Sequence, residues 1–228
     1  MQRLSIDALR SFSGVAPIDL WTRRTALLSI DMQNRLARED GYTVAMLRAR
    51  GLEGAASQYL AQMNVAIPNV RALLDRQRSL GFPVVHVRPT RLPNRQGSAT
   101  KPNIGYTDSA DAWEFVTELA PLPGEVVLDK ACSGAFAGSN IDYTLRRLGV
   151  EGLIAVGCVT DGCVEQAIRY AHDLGYACVL VSDGTAALTE EIHQDALERL
   201  EHRRAHVRTA GALLAASGIE RTEIRFPA

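Results

Sequence analysis

Five short apolar runs constrain the fold of this chain more than any other feature. They read "TALLSID" (25–31), "PVVHVR" (83–88), "EVVLDK" (125–130), "GLIAVGC" (152–158) and "ACVLVSD" (177–183), with a weaker candidate at "AHV" (205–207). Most are apolar on successive residues and rich in β-branched side chains, the pattern of strands buried on both faces. Helical patterns separate them. "QYLAQMNVAIPNVRALLDRQRSLG" (58–81), "NIDYTLRRLG" (140–149) and "CVEQAIRYAHDLG" (163–175) each end in Gly, and Pro68 is expected to kink or restart the first. Further helices are expected at 189–202 and 209–217. Strand and helix in alternation with short connections predict an α/β fold, a three-layer doubly wound sandwich around a mostly parallel sheet of about six strands. A single domain over 1–228, with 1–22 as an N-terminal extension, accommodates this pattern. Two stretches break the rhythm: 35–57, and 89–123 with its five prolines and a short helix expected at "ADAWEFV". Insertions after strands in such a fold shape the ligand site, or serve as oligomer contacts.

The formal net charge is -1 with both signs mixed along the chain, so no electrostatic footprint for nucleic acid or an anionic membrane is present. No apolar run reaches membrane-spanning length, and "MQRLSIDALRSFSG" does not read as a signal peptide. A cytoplasmic location is the expectation. The four cysteines form no CxxC pair and no disulfide framework, and the five histidines are scattered without HExxH or a Cys/His cluster. No metal and no other cofactor is expected.

Three polar residues sit at strand ends. Asp31 closes the first run, Lys130 the third, and Cys163 follows the fourth by the short turn "VTDG" and opens a helix. In a parallel sheet these ends share one edge, so an acid, a cation and a thiol converge there. A helix N-terminus and a nearby lysine are expected to lower the thiol pKa, a carboxylate to shuttle its proton, and backbone N–H groups of the turn to receive an oxyanion. Singly, each residue reads as structural: a turn-capping Asp, a solvated Lys, a Cys acting as a small hydrophobe. Together they favour chemistry. Cys132, Cys158 and Cys178 keep the structural reading.

The segments "ALLSIDMQN", "LDKACSGAF" and "GCVTDGCVEQAIRYAHDLGYACVLVSDGTAA", in this order and spacing from about Thr25 to about Leu214, resemble the isochorismatase-like cysteine hydrolases. The resemblance implies a catalytic triad of Asp31, Lys130 and Cys163. It also implies a cis peptide at Cys158–Val159 and an oxyanion hole from the backbone N–H groups of Val159 and Cys163. Cys163 directs the expectation to the C–N hydrolases of the family, a group that takes in nicotinamidases, N-carbamoylsarcosine amidases, and ureidoacrylate or biuret hydrolases. Nicotinamidases bind metal through an Asp and His residues in the loop after the second strand, whereas "HVRPTRLPNRQGSATKPN" has no Asp and no His beyond the strand's own His86.

The expected reaction is attack of the Cys163 thiolate on an amide, carbamoyl or ureido carbonyl of a small molecule, through a thioester, releasing ammonia or an amine. Asn34, Arg88, Arg91, Phe136 and Thr160 are the candidate substrate-binding residues. Arg95 extends the arginine-rich loop, whose guanidiniums suit a carboxylate or ureido oxygen, or else solvent or a neighbouring subunit. "RLARED" after Asn34 replaces the family's acidic-aromatic continuation, so an unusual pocket wall is expected. The family implies a homodimer or homotetramer. The rival readings are vinyl-ether cleavage of the isochorismatase type, a catalytically silent binding subunit, and a flavodoxin-like nucleotide binder, the last weakened by the absence of GxGxxG and GxxxxGK[ST].

Overall fold

The computed structural model describes residue 15 and residues 18–90, 109–201, 203–216 and 219–220. Within these, strands β2 (Thr25–Ile30), β3 (Val84–Pro89), β4 (Val126–Lys130), β5 (Gly152–Cys158), β6 (Ala177–Ala186) and β7 (His206–Arg208) form one sheet in the order β4-β3-β2-β5-β6-β7. Every pairing in it is parallel. β1 (Ile18–Asp19) pairs antiparallel with β8 (Ile219–Glu220) as a separate two-stranded ribbon. The chain starts in the middle at β2, winds out through β3 to β4, then returns to β5 and winds the other way. The carboxyl ends of β2 and β5 therefore flank the switch point where such sheets bind ligands.

The continuous apolar runs follow from two buried faces. Along β2, Leu27 packs with Ile154, Val156, Val179 and Val181 toward one helical layer. Ala26, Leu28 and Ile30 face the other, with Val85, Val87 and Leu153. The first layer is dominated by a helix over Glu53–Ser79, here α3, preceded by α1 (Asn34–Ala37) and α2 (Tyr42–Ala49). Its buried stripe Ala56, Tyr59, Met63, Ala66, Val70, Leu73, Leu74 and Gln77 recurs every three or four residues, the spacing of one helix face. Pro68 does not restart the helix, which runs through it. Pro68 lies on the exposed face, so the carbonyl of Asn64, deprived of its intrahelical donor, is open to solvation. The second layer holds α4 (Ala135–Gly138), α5 (Ile141–Arg147), α6 (Glu165–Asp173) and α7 (Glu190–Leu200), while α8 (Ala210–Ala215) joins the first.

Gly157 fixes how closely β2 and β5 approach at their carboxyl ends. Its φ is +123, and a Cβ built there falls 2.0 Å from the Ile30 carbonyl oxygen. Only glycine combines that backbone with that approach.

Candidate active site

Asp31 is the first residue past β2. Its backbone takes the left-handed φ of 59, a conformation that a non-glycine residue holds only when its surroundings enforce it. Here the Asp31 N–H donates to Val87 O at 2.8 Å, and the Asp31 carbonyl accepts from the Cys158 thiol at 3.4 Å. Lys130 ends β4 and reaches beneath β3, its Nζ 2.8 Å from Asp31 Oδ2. A second bond, Nζ to Ser133 O at 2.6 Å, holds the ammonium from the loop that follows. The two side chains are only 1% and 2% exposed, so neither solvent nor salt screens them appreciably. Cys163 is half-buried in the turn Thr160–Val164, kinked at Gly162, that leads from β5 into α6. Its thiol interacts with both the Asp31 carboxylate and the Lys130 ammonium. The structure thus brings Asp31, Lys130 and Cys163 together at one sheet edge.

Burial sets the protonation of this cluster. It raises the Asp31 carboxyl above its ordinary value, although Lys130 pulls the other way. It draws Lys130 down, but the facing carboxylate outweighs it and the ammonium persists with a raised pKa. Burial and then Asp31 push the Cys163 thiol up to about 12. The lowered thiol pKa expected from a helix N-terminus is therefore not found. The cost of desolvating a thiolate beside a carboxylate exceeds the field of a helix end, so the resting sulfur carries its proton.

The peptide bond Cys158–Val159 is cis, at the position the family resemblance implies. Val159 O accepts from Gly162 N–H at 3.0 Å and Val164 N–H at 3.3 Å, folding the turn back on itself. Thr160, a candidate for substrate contact, has its side chain committed elsewhere. Buried Thr160 Oγ1 lies 2.9 Å from His193 Nδ1, and His193 Nε2 lies 3.1 Å from Ser182 O. Because a carbonyl only accepts, Nε2 carries the proton and Nδ1 accepts from the Thr160 hydroxyl. His193 thereby ties the Cys163 turn to β6. Nothing in the sequence spacing around His193 points to this.

The other candidates divide. Asn34 lines a cavity of about 360 Å³ together with Arg35, Asp40, Tyr42, Ser109 and Asp111. Its side-chain amide donates to Asp111 O at 3.0 Å. Gln33, fully buried, donates to Trp113 O at 2.5 Å, so the pair pins the short 3-10 turn Asp111–Trp113 over the site. Arg88 pairs with Asp129 on the neighbouring strand at 2.8 Å and lies over the Phe115 ring at 5.2 Å. Phe136 stacks on Tyr170 at 6.4 Å and contacts Tyr176 at 6.2 Å, packing between helices. Neither Arg88 nor Phe136 lines the 360 Å³ cavity. Arg91 and Arg95 lie outside the described residues. Among the described residues, no group of three or more His, Cys, Asp or Glu side chains is placed to hold a metal ion, and no helix is long and apolar enough to cross a membrane.

Arg35 is the residue that the sequence reading passed over. It stands in "RLARED", the departure noted after Asn34, and is 7% exposed. Its guanidinium lies over Trp113, 4.4 Å from the ring centroid, and 5.9 Å from that of Tyr42.

Similarity to known proteins follows the same landmarks. The Isochorismatase domain family matches residues 25–212, from the start of β2 into α8. Ureidoacrylate amidohydrolase RutB of Stutzerimonas stutzeri is 30% identical over 200 residues, covering 79% of this chain and 77% of that protein. The RutB protein of Rhizobium rhizogenes is 29% identical over 201 residues, with 79% and 77% covered. Among solved structures, a cysteine hydrolase from Pseudomonas syringae pv. phaseolicola superposes with a TM-score of 0.70 at 22% identity, over 84% of this chain and 91% of that one. N-carbamoylsarcosine amidase from Thermoplasma acidophilum does so with a TM-score of 0.62 at 23% identity, over 82% and 96%. These two likenesses describe the fold, whereas the domain match spans the sheet, the Asp31–Lys130 pair and the Cys163 turn, and on that match the chain belongs to the isochorismatase family of hydrolases.

Proposed function

We propose that this protein hydrolyses a C–N bond of a small amide, carbamoyl or ureido compound, with Cys163 as nucleophile. The observation that carries the reading is the buried Asp31–Lys130 ion pair, 2.8 Å long, against the Cys163 thiol at the switch point of the sheet. The amidohydrolase activity named for the RutB relatives supports the bond type.

The protonation states define the order of events. The resting sulfur is a thiol, and the Asp31 carboxylate beside it takes the proton as sulfur attacks the carbonyl carbon. Lys130 remains an ammonium and offsets the negative charge that passes between carboxylate and sulfur. The oxyanion is assigned to the backbone N–H groups of Val159 and Cys163 in the turn after the cis peptide. Asp31 returns the proton to the leaving nitrogen as the C–N bond breaks. It then deprotonates the water that cleaves the thioester, or the thiocarbamate formed from a ureido substrate. Thr160 holds this turn through His193.

The test is ammonia release from a panel of small amides and ureido compounds by the wild-type chain and Cys163→Ala. Cys163→Ala is expected to lower kcat by at least about 10³-fold with the thermal unfolding midpoint retained. Full amidase activity in that variant would refute the assignment. Pyruvate release from a vinyl-ether substrate, undiminished in Cys163→Ala, would establish the ether-cleaving alternative.

A further inference from the structure

The turn that carries Cys163 is tied at both ends to one helix. At its start, the buried Thr160 hydroxyl donates to His193 Nδ1 at 2.9 Å, while His193 Nε2 donates to Ser182 O at 3.1 Å. Past its end, Glu165 opens α6 with a side chain only 10% exposed. Its carboxylate accepts from Arg199 twice, Nη2 to Oε2 at 2.9 Å and Nε to Oε1 at 3.3 Å. His193 and Arg199 both belong to α7. Glu165 also pairs with Arg169 at 2.7 Å, but that bond lies within α6 and moves with it, whereas the Arg199 bond reaches a second element. Between the two anchors Gly162 leaves helical geometry, at φ −114 and ψ −105, so a regular helical ladder does not fix the path of the turn. The helix α7 is a firm support, because its Leu197 and Leu200 belong to the buried cluster that includes Val164, Ala167 and Ile168.

We propose that α7 is a positioning element of the active site, with His193 and Arg199 holding Thr160 and Glu165 so that the turn aims its N–H groups and the Cys163 sulfur at the scissile carbonyl. The inference rests on the C–N hydrolase reading above, in which the Val159 and Cys163 N–H groups receive the oxyanion. Thr160 directly follows the first of these residues and Glu165 lies two positions beyond the second, so slack at either anchor moves a donor. The direction of the first bond is fixed as well: Ser182 O holds the His193 proton on Nε2, and Nδ1 is left as an acceptor that only the Thr160 hydroxyl orientation seen here satisfies. These N–H groups act on charge that develops during attack, and not on the bound ground state. Misaiming them therefore slows turnover with little effect on binding. A purely structural bond would instead lower the unfolding midpoint and leave turnover per folded molecule unchanged.

The experiment takes the small amide or ureido compound from which the wild-type chain releases ammonia fastest. It measures kcat and KM per folded molecule, well below the lowest unfolding midpoint of the set. Thr160→Val and His193→Leu are each expected to lower kcat at least about 10-fold with KM held within about 2-fold. The two combined should be no more than about 2-fold worse than the poorer single variant, since both remove the same bond. Thr160→Ser, which keeps the hydroxyl, should recover most of the rate. Arg199→Met should lower kcat by about 3-fold or more, again at constant KM. The Arg199 side chain is 39% exposed, so this variant is expected to fold even where a buried substitution does not. Wild-type kcat in Thr160→Val or in Arg199→Met, independent losses in the combined variant, or a loss carried by KM overturns the positioning role. Cys163→Ala, assayed alongside, separates the two readings: its inactivity with an undiminished kcat in Thr160→Val removes only the role of α7, whereas its full activity removes the nucleophile and this inference together.

Discussion

Lys130→Met offers the sharpest physical test of the site, because it removes one half of a nearly solvent-free ion pair. Asp31 is 2% exposed and Lys130 is its partner at 2.8 Å. Removing one member of a buried pair typically costs about 3–5 kcal/mol, since the remaining charge stays desolvated. Against a total stability of about 5–15 kcal/mol this is a large fraction, and for a chain of this size it lowers Tm by roughly 6–20 °C.

The loss also has a pH signature. The Asp31 carboxyl is already raised by burial, and Lys130 is the main influence opposing that rise. Without Lys130 its folded pKa rises further above the unfolded value. Between those two values the folded state binds a proton that the unfolded state does not, so stability increases as pH falls. The deficit of Lys130→Met is therefore expected to be larger at pH 7 than at pH 5. Asp31→Asn combined with Lys130→Met removes both charges and should lie within about 1–2 kcal/mol of wild type, a coupling well beyond additivity. All three variants should lack amidase activity. Urea denaturation followed by far-UV circular dichroism supplies the four stabilities of the cycle. A cost below about 1 kcal/mol for Lys130→Met at pH 7, or additive single and double variants, would show that the pair is not the desolvated unit described.

Two further perturbations address other links of the argument. Gly157→Ala places a Cβ against the Ile30 carbonyl at a φ of +123, so it should destabilise by roughly 1–3 kcal/mol from backbone strain and lower kcat by separating the strands that carry Asp31 and Cys163; chemical denaturation and steady-state rates check both. His86 and His193 are buried with pKa values lowered, chiefly by desolvation. Below the unfolded value of about 6.5 the unfolded chain takes up protons that the folded chain refuses, so stability should fall as pH drops from 6.5 toward 5, by up to about 1.4 kcal/mol per pH unit for each histidine; His193→Asn should flatten this slope, and an unchanged slope would contradict the buried neutral assignment.

Much of this architecture was legible because it is written in nearest-neighbour chemistry. A strand buried on both faces must be apolar on consecutive residues, so "TALLSID" and "GLIAVGC" declare themselves without tertiary information. Parallel strands place their carboxyl ends together, which made Asp31, Lys130 and Cys163 candidates for one site despite their separation in sequence. The failures have equally definite causes. A restart at Pro68 was one expectation because the rule concerns backbone bonding, but the helix continues with Pro68 on its exposed face, where solvent can meet the carbonyl that loses its donor. The thiol of Cys163 was expected to be acidic from its helix-start position, a local property; its pKa of about 12 comes from burial beside Asp31, a residue 132 positions away by numbering (163 − 31).

Side-chain partnership shows the same division. Thr160 and Phe136 lie near the catalytic segments, and packing also gives each a distant protein partner: His193 for the first, Tyr170 and Tyr176 for the second. Arg35 had an unremarkable place in a polar run, and nothing local distinguishes it from Arg38 three residues on, which is partly exposed and pairs with Glu118. Its burial arises because α1 turns it under Trp113, which arrives from the segment after β3. Element identity and the edge where chemistry gathers depend on short-range pattern and chain chirality, and a single sequence carries both. Protonation states, and which polar groups remain available to a substrate, depend on desolvation and on contacts between distant segments, and these exist only once the chain has packed.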